Sequence, residues 1–202
     1  MSIQPDLRER RRRATQAEIE DAAIGLFERQ GFDRTTVDEI AAAAGVSPST
    51  FFRHFPTKED TASGANRAFE AALTARRDAF GPGVPRLRDV EAVVADALEE
   101  LVTARADVTA RMVRVRRVVM GDAVLRGAML RREVEQCERF VRLLSPSAGE
   151  VDPAVRMLAE LVSSGLRITF DEWAARQGQD GGPGLVEVYR GTCSLLRTAV
   201  SD

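Results

Sequence analysis

Residues 35–55 restrict the fold of this chain most strongly, because they predict two short helices around a tight turn. Thr36 and Glu39 have the spacing of a capping box, in which a hydroxyl and a carboxylate each satisfy a backbone N–H group at a helix start. Four alanines then favour continuation of the helix. Gly45 can end it, because glycine adopts the left-handed conformation without strain. A second helix follows within about three residues, which indicates a helix-turn-helix unit.

The second helix begins with Ser47 as its cap and Pro48 at its first position, where a missing N–H group costs little. Phe51 and Phe55 lie four residues apart, so they share one side and are expected to pack inward. The opposite side carries small polar groups, an aromatic ring and a guanidinium, from Pro48, Ser49, Phe52 and Arg53. Such a mixture suits a DNA major groove, where hydrogen-bonding base edges and thymine methyl groups are both exposed.

The stretch from Thr35 to Glu59 resembles the DNA-binding signature of the TetR family of transcriptional regulators. Its matching residues read Thr-Thr-Val-x-x-Ile-Ala-x-x-Ala-Gly-Val-Ser-x-x-Thr-Phe-x-x-His-Phe-Pro-x-Lys-Glu. The apolar spacing from Ile19 to Phe27 predicts a preceding helix of about four turns. The resemblance implies an all-α fold, with a three-helix helix-turn-helix DNA-binding domain at 14–60. A helical ligand-binding and dimerisation domain is expected at 61–202, and a basic arm at 1–13.

Nine side chains are candidates for DNA contact. Those expected at base edges and the neighbouring backbone are Ser47, Pro48, Ser49, Phe52 and Arg53. Those expected at phosphates are Thr36, Thr50, His54 and Lys58. The family usually has tyrosine where this chain has Phe52, so Phe52 either contacts a thymine methyl group or only packs. A structural hydrogen bond for His54 and a solvated side chain for Lys58 are the alternatives.

The charge is divided unevenly along the chain, although the formal net charge is only −2. Residues 1–13 carry five arginines and two acids, whereas residues 14–60 carry four cations and nine acids. A DNA-binding domain that is acidic overall must contact phosphates through a few local cations and helix N-termini. The basic arm has two interpretations, a solvated disordered tail or a segment that binds phosphate or the minor groove.

Residues 61–202 predict further amphipathic helices and no strand. The last two have near-heptad apolar spacing with small residues that allow close approach. Two such helices from each of two subunits would form a four-helix dimer interface, as the family resemblance implies. The same spacing also fits helices that only bury the core of one subunit.

A ligand pocket is expected in the second domain, because the family couples a small-molecule cavity to the spacing of its DNA-binding heads. The candidate lining residues are Leu98, Met112, Arg116, Met120, Met129, Phe140, Phe170 and Trp173. Methionine and aromatic residues at helical spacing are also typical of an ordinary core. Arg111, Arg114, Arg116 and Arg117 either place cations near the cavity or form a solvated face. The region 111–132 is faintly similar to family members that bind acyl-coenzyme A, which implies an acyl thioester or another amphipathic acid as effector.

The sequence therefore predicts a cytoplasmic, ligand-responsive DNA-binding regulator, a repressor that binds a palindromic operator as a homodimer and needs no cofactor. It predicts no membrane segment, because no stretch approaches the length that spans a bilayer. The single histidine and two distant cysteines indicate neither a catalytic centre nor a metal site. The alternative is a helical ligand-binding or adaptor protein that does not read DNA sequence.

Overall fold

The computed structural model describes residues 7–81, 83–104, 106–145, 150–177 and 182–199. These residues form helices and no strand, so the predicted all-α fold is confirmed. The helices are α1 (Leu7–Gln30), α2 (Val37–Ala43), α3 (Pro48–His54), α4 (Gly64–Thr74), α5 (Leu87–Ala104), α6 (Ala106–Gly121), α7 (Ala123–Leu144), α8 (Pro153–Arg176) and α9 (Leu185–Ala199). Short 3-10 turns, Glu59–Ser63 and Arg77–Phe80, flank α4. Within the described ranges, no helix is long and apolar enough to cross a membrane.

The helix starts in the head, formed by α1–α3, follow the predicted capping chemistry. The Thr36 hydroxyl accepts from the Glu39 N–H group, and the Glu39 carboxylate accepts from the Thr36 N–H group, so the capping box is confirmed. Ser47 accepts from the Thr50 N–H group at the start of α3. Gly45 has a φ of 66°, the left-handed conformation expected after α2. The recognition helix α3 is thereby fixed at its first turn.

The first helix is longer than the sequence predicts. It begins at Leu7 and extends for 24 residues, so the described part of the predicted arm is helical rather than a disordered tail. Glu9 stabilises this part because it accepts from Arg12 and Arg13, at 2.8–2.9 Å, one turn further along the helix. These hydrogen bonds lower the pKa of the Glu9 carboxyl to about 2. Residues 1–6 of the predicted arm lie outside the described residues.

The core of the head includes side chains from the second domain. The buried cluster around Phe27, Ile40 and Phe51 also contains three residues of α6 and α7, which are Val119, Leu125 and Met129. At the junction of α6 and α7, the Asp122 carboxylate caps α7 and accepts from the Phe32 N–H group at 3.3 Å. The domain boundary at residues 60 and 61 remains a prediction, and apolar packing is continuous across it.

Two arginines of α6 connect the second domain to α1 by ion pairs. Arg111 donates two hydrogen bonds to Asp21, at 2.8 and 2.9 Å, and lies 3.6 Å from Glu20. Arg114 donates two to Glu28, at 3.0 and 2.6 Å. Paired N–H groups of a guanidinium hold a carboxylate in one orientation. These contacts therefore fix the rotation of α1 relative to α6.

The buried carboxylate of Glu20 connects α1 to the start of α4. It accepts from Arg67 of α4 at 2.5 Å and from Gln16 at 3.3 Å. The carboxylate lies directly against Gly64, and a Cβ atom at that position would overlap it. Glycine at residue 64 therefore permits this close approach, and a larger residue would require the end of the Glu20 side chain to move.

A second buried cluster fills the remainder of the molecule and is formed by α4–α9. Leu98 of α5, Trp173 of α8 and Tyr189 of α9 are among its most buried side chains. This core supports an open cavity between α4, α7 and α8, which is described below.

Candidate nucleic-acid interface and ligand cavity

The outward face of α3 presents side chains that the rest of the molecule leaves unused. Pro48, Ser49, Phe52 and Arg53 are all exposed. Arg53 has no hydrogen-bond or ion-pair partner among the described residues. The Phe52 ring stands edge-on to the buried Phe51 ring, with centroids 5.5 Å apart. An exposed guanidinium beside an exposed aromatic ring can contact a guanine edge or phosphate and a thymine methyl group.

The hydroxyl groups of Ser47 and Thr50 form a short chain at the start of α3. Ser47 donates to Thr50 Oγ1 at 3.1 Å. Each hydroxyl group has one hydrogen to donate, so Ser47 uses its hydrogen within the cap and Thr50 retains its own. Thr50 is therefore the better phosphate donor of the two, and Ser47 orients it.

Thr36 is already engaged by the capping box. Its hydroxyl donates to Glu39 Oε2 at 2.9 Å while it accepts from the Glu39 N–H group. The same carboxylate oxygen accepts from Gln30 at 3.2 Å. A phosphate contact by the Thr36 hydroxyl would therefore replace an existing hydrogen bond, whereas the N–H groups at the start of α2 need no such exchange.

Lys58 is held inside the head rather than solvated. Its ammonium group donates to the carbonyl oxygens of Phe32 at 2.7 Å and Thr35 at 3.0 Å, and lies 4.1 Å from the centroid of the Phe32 ring. An ammonium group has three N–H donors, so one remains for a phosphate. The predicted phosphate contact stays a prediction. The structure adds that Lys58 closes the turn between α1 and α2.

His54 lies half-buried at the C-terminal end of α3. Burial lowers its pKa, and the positive charges of Arg53 and Arg12 lower it further. The imidazole is therefore neutral at pH 7 and can donate a single N–H group.

The cavity between α4, α7 and α8 is open to solvent on one side and has a volume of about 640 Å³, within the range of pockets for small organic molecules. Its apolar wall includes Phe69 and Leu73 of α4, Leu130 and Phe140 of α7, and Phe170 of α8. Eight charged side chains also line it. They are Glu70, Arg77, Arg116, Glu133, Arg139, Arg142, Glu160 and Arg167.

Three of the eight predicted pocket residues line this cavity, namely Arg116, Phe140 and Phe170. Met112 and Met129 instead border a much smaller void between the two domains, which Arg116 also lines. Leu98 and Trp173 are buried in the core, and Met120 is exposed at the end of α6. These five do not line the large cavity, because side chains at helical spacing pack in a core and around a pocket alike. Sequence reasoning missed the stripe on α4, where Asn66, Phe69 and Leu73 have the spacing of any linking helix.

The four arginines of α6 are not a solvated face. Arg111 and Arg114 pair with α1, as described above, and Arg117 donates to the Gln177 carbonyl oxygen at 2.7 Å. Arg116 is the member that faces the cavity, where it lies 3.5 Å from Glu133 and its guanidinium stacks over Phe170. Burial raises the pKa of the Glu133 carboxyl, although Arg116 and Arg167 oppose this effect.

Comparison with known proteins places these observations in a family context. Residues 19–61 match the model of bacterial regulatory proteins of the tetR family. The chain is 31% identical over 193 residues to the HTH-type transcriptional regulator TcmR of Streptomyces glaucescens, covering 87% of this chain and 80% of that protein. The alignment therefore includes both the head and the helices around the cavity.

Solved structures share the fold at low sequence identity. The fatty acid degradation regulator FadR from Bacillus halodurans superposes with a TM-score of 0.52 and 16% identity, covering 97% of this chain and 96% of that chain. SmeT, the repressor of the Stenotrophomonas maltophilia multidrug efflux pump SmeDEF, gives a TM-score of 0.51 and 18% identity, with coverage of 93% and 91%. Both likenesses concern the arrangement of helices.

Proposed function

The chain belongs to the tetR family of bacterial transcriptional regulators, and from this premise we propose that it is a ligand-responsive repressor. As a homodimer it binds a palindromic operator, and it leaves the operator when a small-molecule effector occupies the cavity. The protein acts in the cytoplasm, where the operator DNA is, and catalyses no reaction. The observation that carries this proposal is the exposed, unpaired face of α3 on a head whose caps and core fix its orientation.

DNA binding by this head is supported by the different contacts that its side chains can make to bases and to phosphates. Arg53 and Phe52 are free to contact bases, and Thr50 retains a hydroxyl hydrogen for a phosphate. Lys58 and His54 each have a single N–H group to offer. The first turns of α1 are basic, and the charge of Arg12 acts on His54 of α3. We infer that they add contacts to phosphate or to the minor groove, which an acidic head needs.

Dimerisation is supported by apolar side chains that one subunit leaves exposed on α8 and α9. Met157 and Ile168 of α8 are exposed and lie eleven residues apart, three helical turns, so they share a face. Leu195 of α9 is exposed as well, and α8 packs against α9. A second copy of the chain would cover these side chains. A dimer would place two recognition helices about one DNA turn, roughly 34 Å, apart.

Effector response is supported by the contacts between the cavity and the head. Helix α4 lines the cavity through Phe69 and Leu73, and its Arg67 holds Glu20 of α1. Helix α6 lines it through Arg116, and its Arg111 holds Asp21. The effector must prefer the released conformation by about 5 kcal/mol to convert a mostly bound population into a mostly free one.

The proposal is tested by selecting genomic fragments with the purified protein and titrating salt on the best duplex. We expect one palindromic site bound by a dimer, with affinity that falls steeply as salt rises. The adaptor alternative draws on the acidic head and on Phe52, which lacks the hydroxyl of the usual tyrosine. Recovery of no sequence above background, in the absence of any effector, would favour that alternative.

Replacing Arg53 with alanine is expected to weaken operator binding by about 10- to 100-fold, because a guanidinium contact to a base edge contributes about 1–3 kcal/mol. Dimer mass and thermal stability should not change, since Arg53 is exposed and makes no hydrogen bond or ion pair within the described residues. Fluorescence anisotropy on the selected duplex measures the affinity, and sedimentation measures the mass. Arg88→Ala, at an exposed arginine of α5, is the matched control. Equal affinities for the two variants would remove Arg53 from the interface.

A further inference from the structure

We propose that the effector is an amphipathic anion whose acid group is bound by Arg77 and Arg142, with its apolar part along the inner wall of the cavity. This inference rests on the proposed function, because it takes the cavity as the effector site. It adds the two side chains that recognise the charge of the effector and the orientation of the effector in the cavity.

The cavity is elongated along α7, and its two ends differ. One end, nearer the head, includes Glu133 and Arg116, which also border the void between the domains. The other end includes Arg142, nine residues further along α7 and therefore about 14 Å away. Arg77, just beyond α4, belongs to this second end, because its 3-10 turn packs on α7 through an edge contact between Phe80 and Phe140, with ring centroids 6.5 Å apart.

Ion pairing distinguishes Arg77 and Arg142 from the other cavity arginines. Arg139 pairs with Glu70 at 2.9 Å, and Arg116 and Arg167 each lie 3.5 Å from Glu133. Arg77 and Arg142 have no partner among the described residues. The lining contains five arginines and three glutamates, which leaves a formal charge of +2. Arg77 and Arg142 contribute two of these positive charges at the end of the cavity that is remote from the head, where both side chains are exposed at its mouth. Glu160, on α8, also lines the cavity without an ion-pair partner among the described residues.

This arrangement favours an acid over a neutral or cationic ligand. A carboxylate, sulfonate or phosphate at this end of the cavity would accept charge-assisted hydrogen bonds from the two guanidinium groups. From that point an apolar chain or ring system meets Leu73, Phe69 and Phe140. The volume of about 640 Å³ suits a ligand of this extended, one-headed kind.

The position of the acid group also explains how ligand binding would change the position of the head. Arg77 follows α4 directly, and an anion shared with Arg142 would hold the end of α4 against α7. The start of α4 carries Arg67, which bonds Glu20 of α1. A shift of α4 at its cavity end is therefore transmitted to the helix that supports α3.

The experiment is isothermal titration of the full chain with three probes that share one alkyl chain, decanoate, decanol and decylamine. We expect decanoate to bind at least about tenfold more tightly than decanol, and decylamine to bind more weakly than both. Decanoyl-coenzyme A is titrated in parallel, so that a free acid and a thioester with its phosphates can be distinguished as sources of the anion. Equal affinities for decanoate and decanol would overturn the proposal.

The double substitution Arg77→Gln and Arg142→Gln should abolish the preference for decanoate and leave decanol binding unchanged. Lysine at both positions should retain the preference, because the charge remains. The matched control is Arg88→Gln with Arg131→Gln, two exposed arginines outside the cavity lining that lack a partner among the described residues. If the glutamine double variant still preferred decanoate as strongly as this control, the proposal would be wrong. These titrations contain no DNA, so failure of operator binding would count against the proposed function alone.

Discussion

Replacing Arg111 with alanine is expected to lower the free energy of unfolding by about 3 kcal/mol, the lower end of the range for breaking a buried ion pair. The Arg111 side chain is only 9% exposed, and that of Glu20, 3.6 Å away, is 5% exposed, whereas Asp21, which accepts both hydrogen bonds of Arg111, is 50% exposed. Its removal leaves Glu20 with Arg67 and Gln16 as its partners, and Asp21 without its two hydrogen bonds. Urea denaturation at a fixed protein concentration measures the loss.

Arg114 provides the matched control on the same helix. It also donates two hydrogen bonds to a carboxylate of α1, but its side chain is 39% exposed and that of Glu28 is 38% exposed. Exposed pairs contribute about 0–1 kcal/mol, so Arg114→Ala should cost far less. If both alanine variants lost the same stability, burial of the Arg111 pair would not be the reason for its effect.

Replacing Phe51 with alanine is expected to cost about 3–5 kcal/mol, the usual range for deleting a buried aromatic side chain. Phe51 is fully buried and contacts the rings of Phe52 and Phe55 in the core of the head. The cavity left behind would also loosen α3, so operator affinity should fall with stability. Thermal unfolding and operator titration, carried out on the same samples, measure the two effects.

Substitution of the neighbouring Phe52 distinguishes an effect on folding from an effect on DNA contact. Its side chain is 56% exposed, so Phe52→Ala should change stability by no more than about 0.5 kcal/mol. A weaker operator affinity in this stable variant would indicate a contact to DNA, such as a thymine methyl group. An unchanged affinity would mean that Phe52 only packs against Phe51. Phe52→Tyr restores the hydroxyl that the family usually has at this position and tests whether a phosphate contact is gained.

Local chemistry explains which features could be predicted from the sequence. The capping box at Thr36 and the turn at Gly45 depend on residues within one or two turns, and both are present in the structure. Lys58 could not be assigned in this way, because its two carbonyl partners lie 23 and 26 residues earlier. The pair between Asp21 and Arg111 joins residues 90 positions apart, and no periodic pattern indicates it.

The cavity-lining residues could not be identified from the sequence either. Periodicity identifies apolar faces, but the choice between pocket and core depends on how three helices diverge. Phe140 and Trp173 have the same kind of spacing, yet Phe140 lines the cavity and Trp173 lies in the core. The unpaired state of Arg77 and Arg142 depends on which carboxylates lie nearby, and that requires the folded chain.

The contact between Glu20 and Gly64 couples the residues that these two positions can carry during evolution. A side chain at residue 64 would overlap the Glu20 carboxylate, so the end of the Glu20 side chain would have to move away from its position beside Arg67. A shorter residue at position 20 would remove this overlap. In a library randomised at both positions and selected for folding, glycine at 64 should be enriched among survivors that keep glutamate at 20, and the two positions should covary.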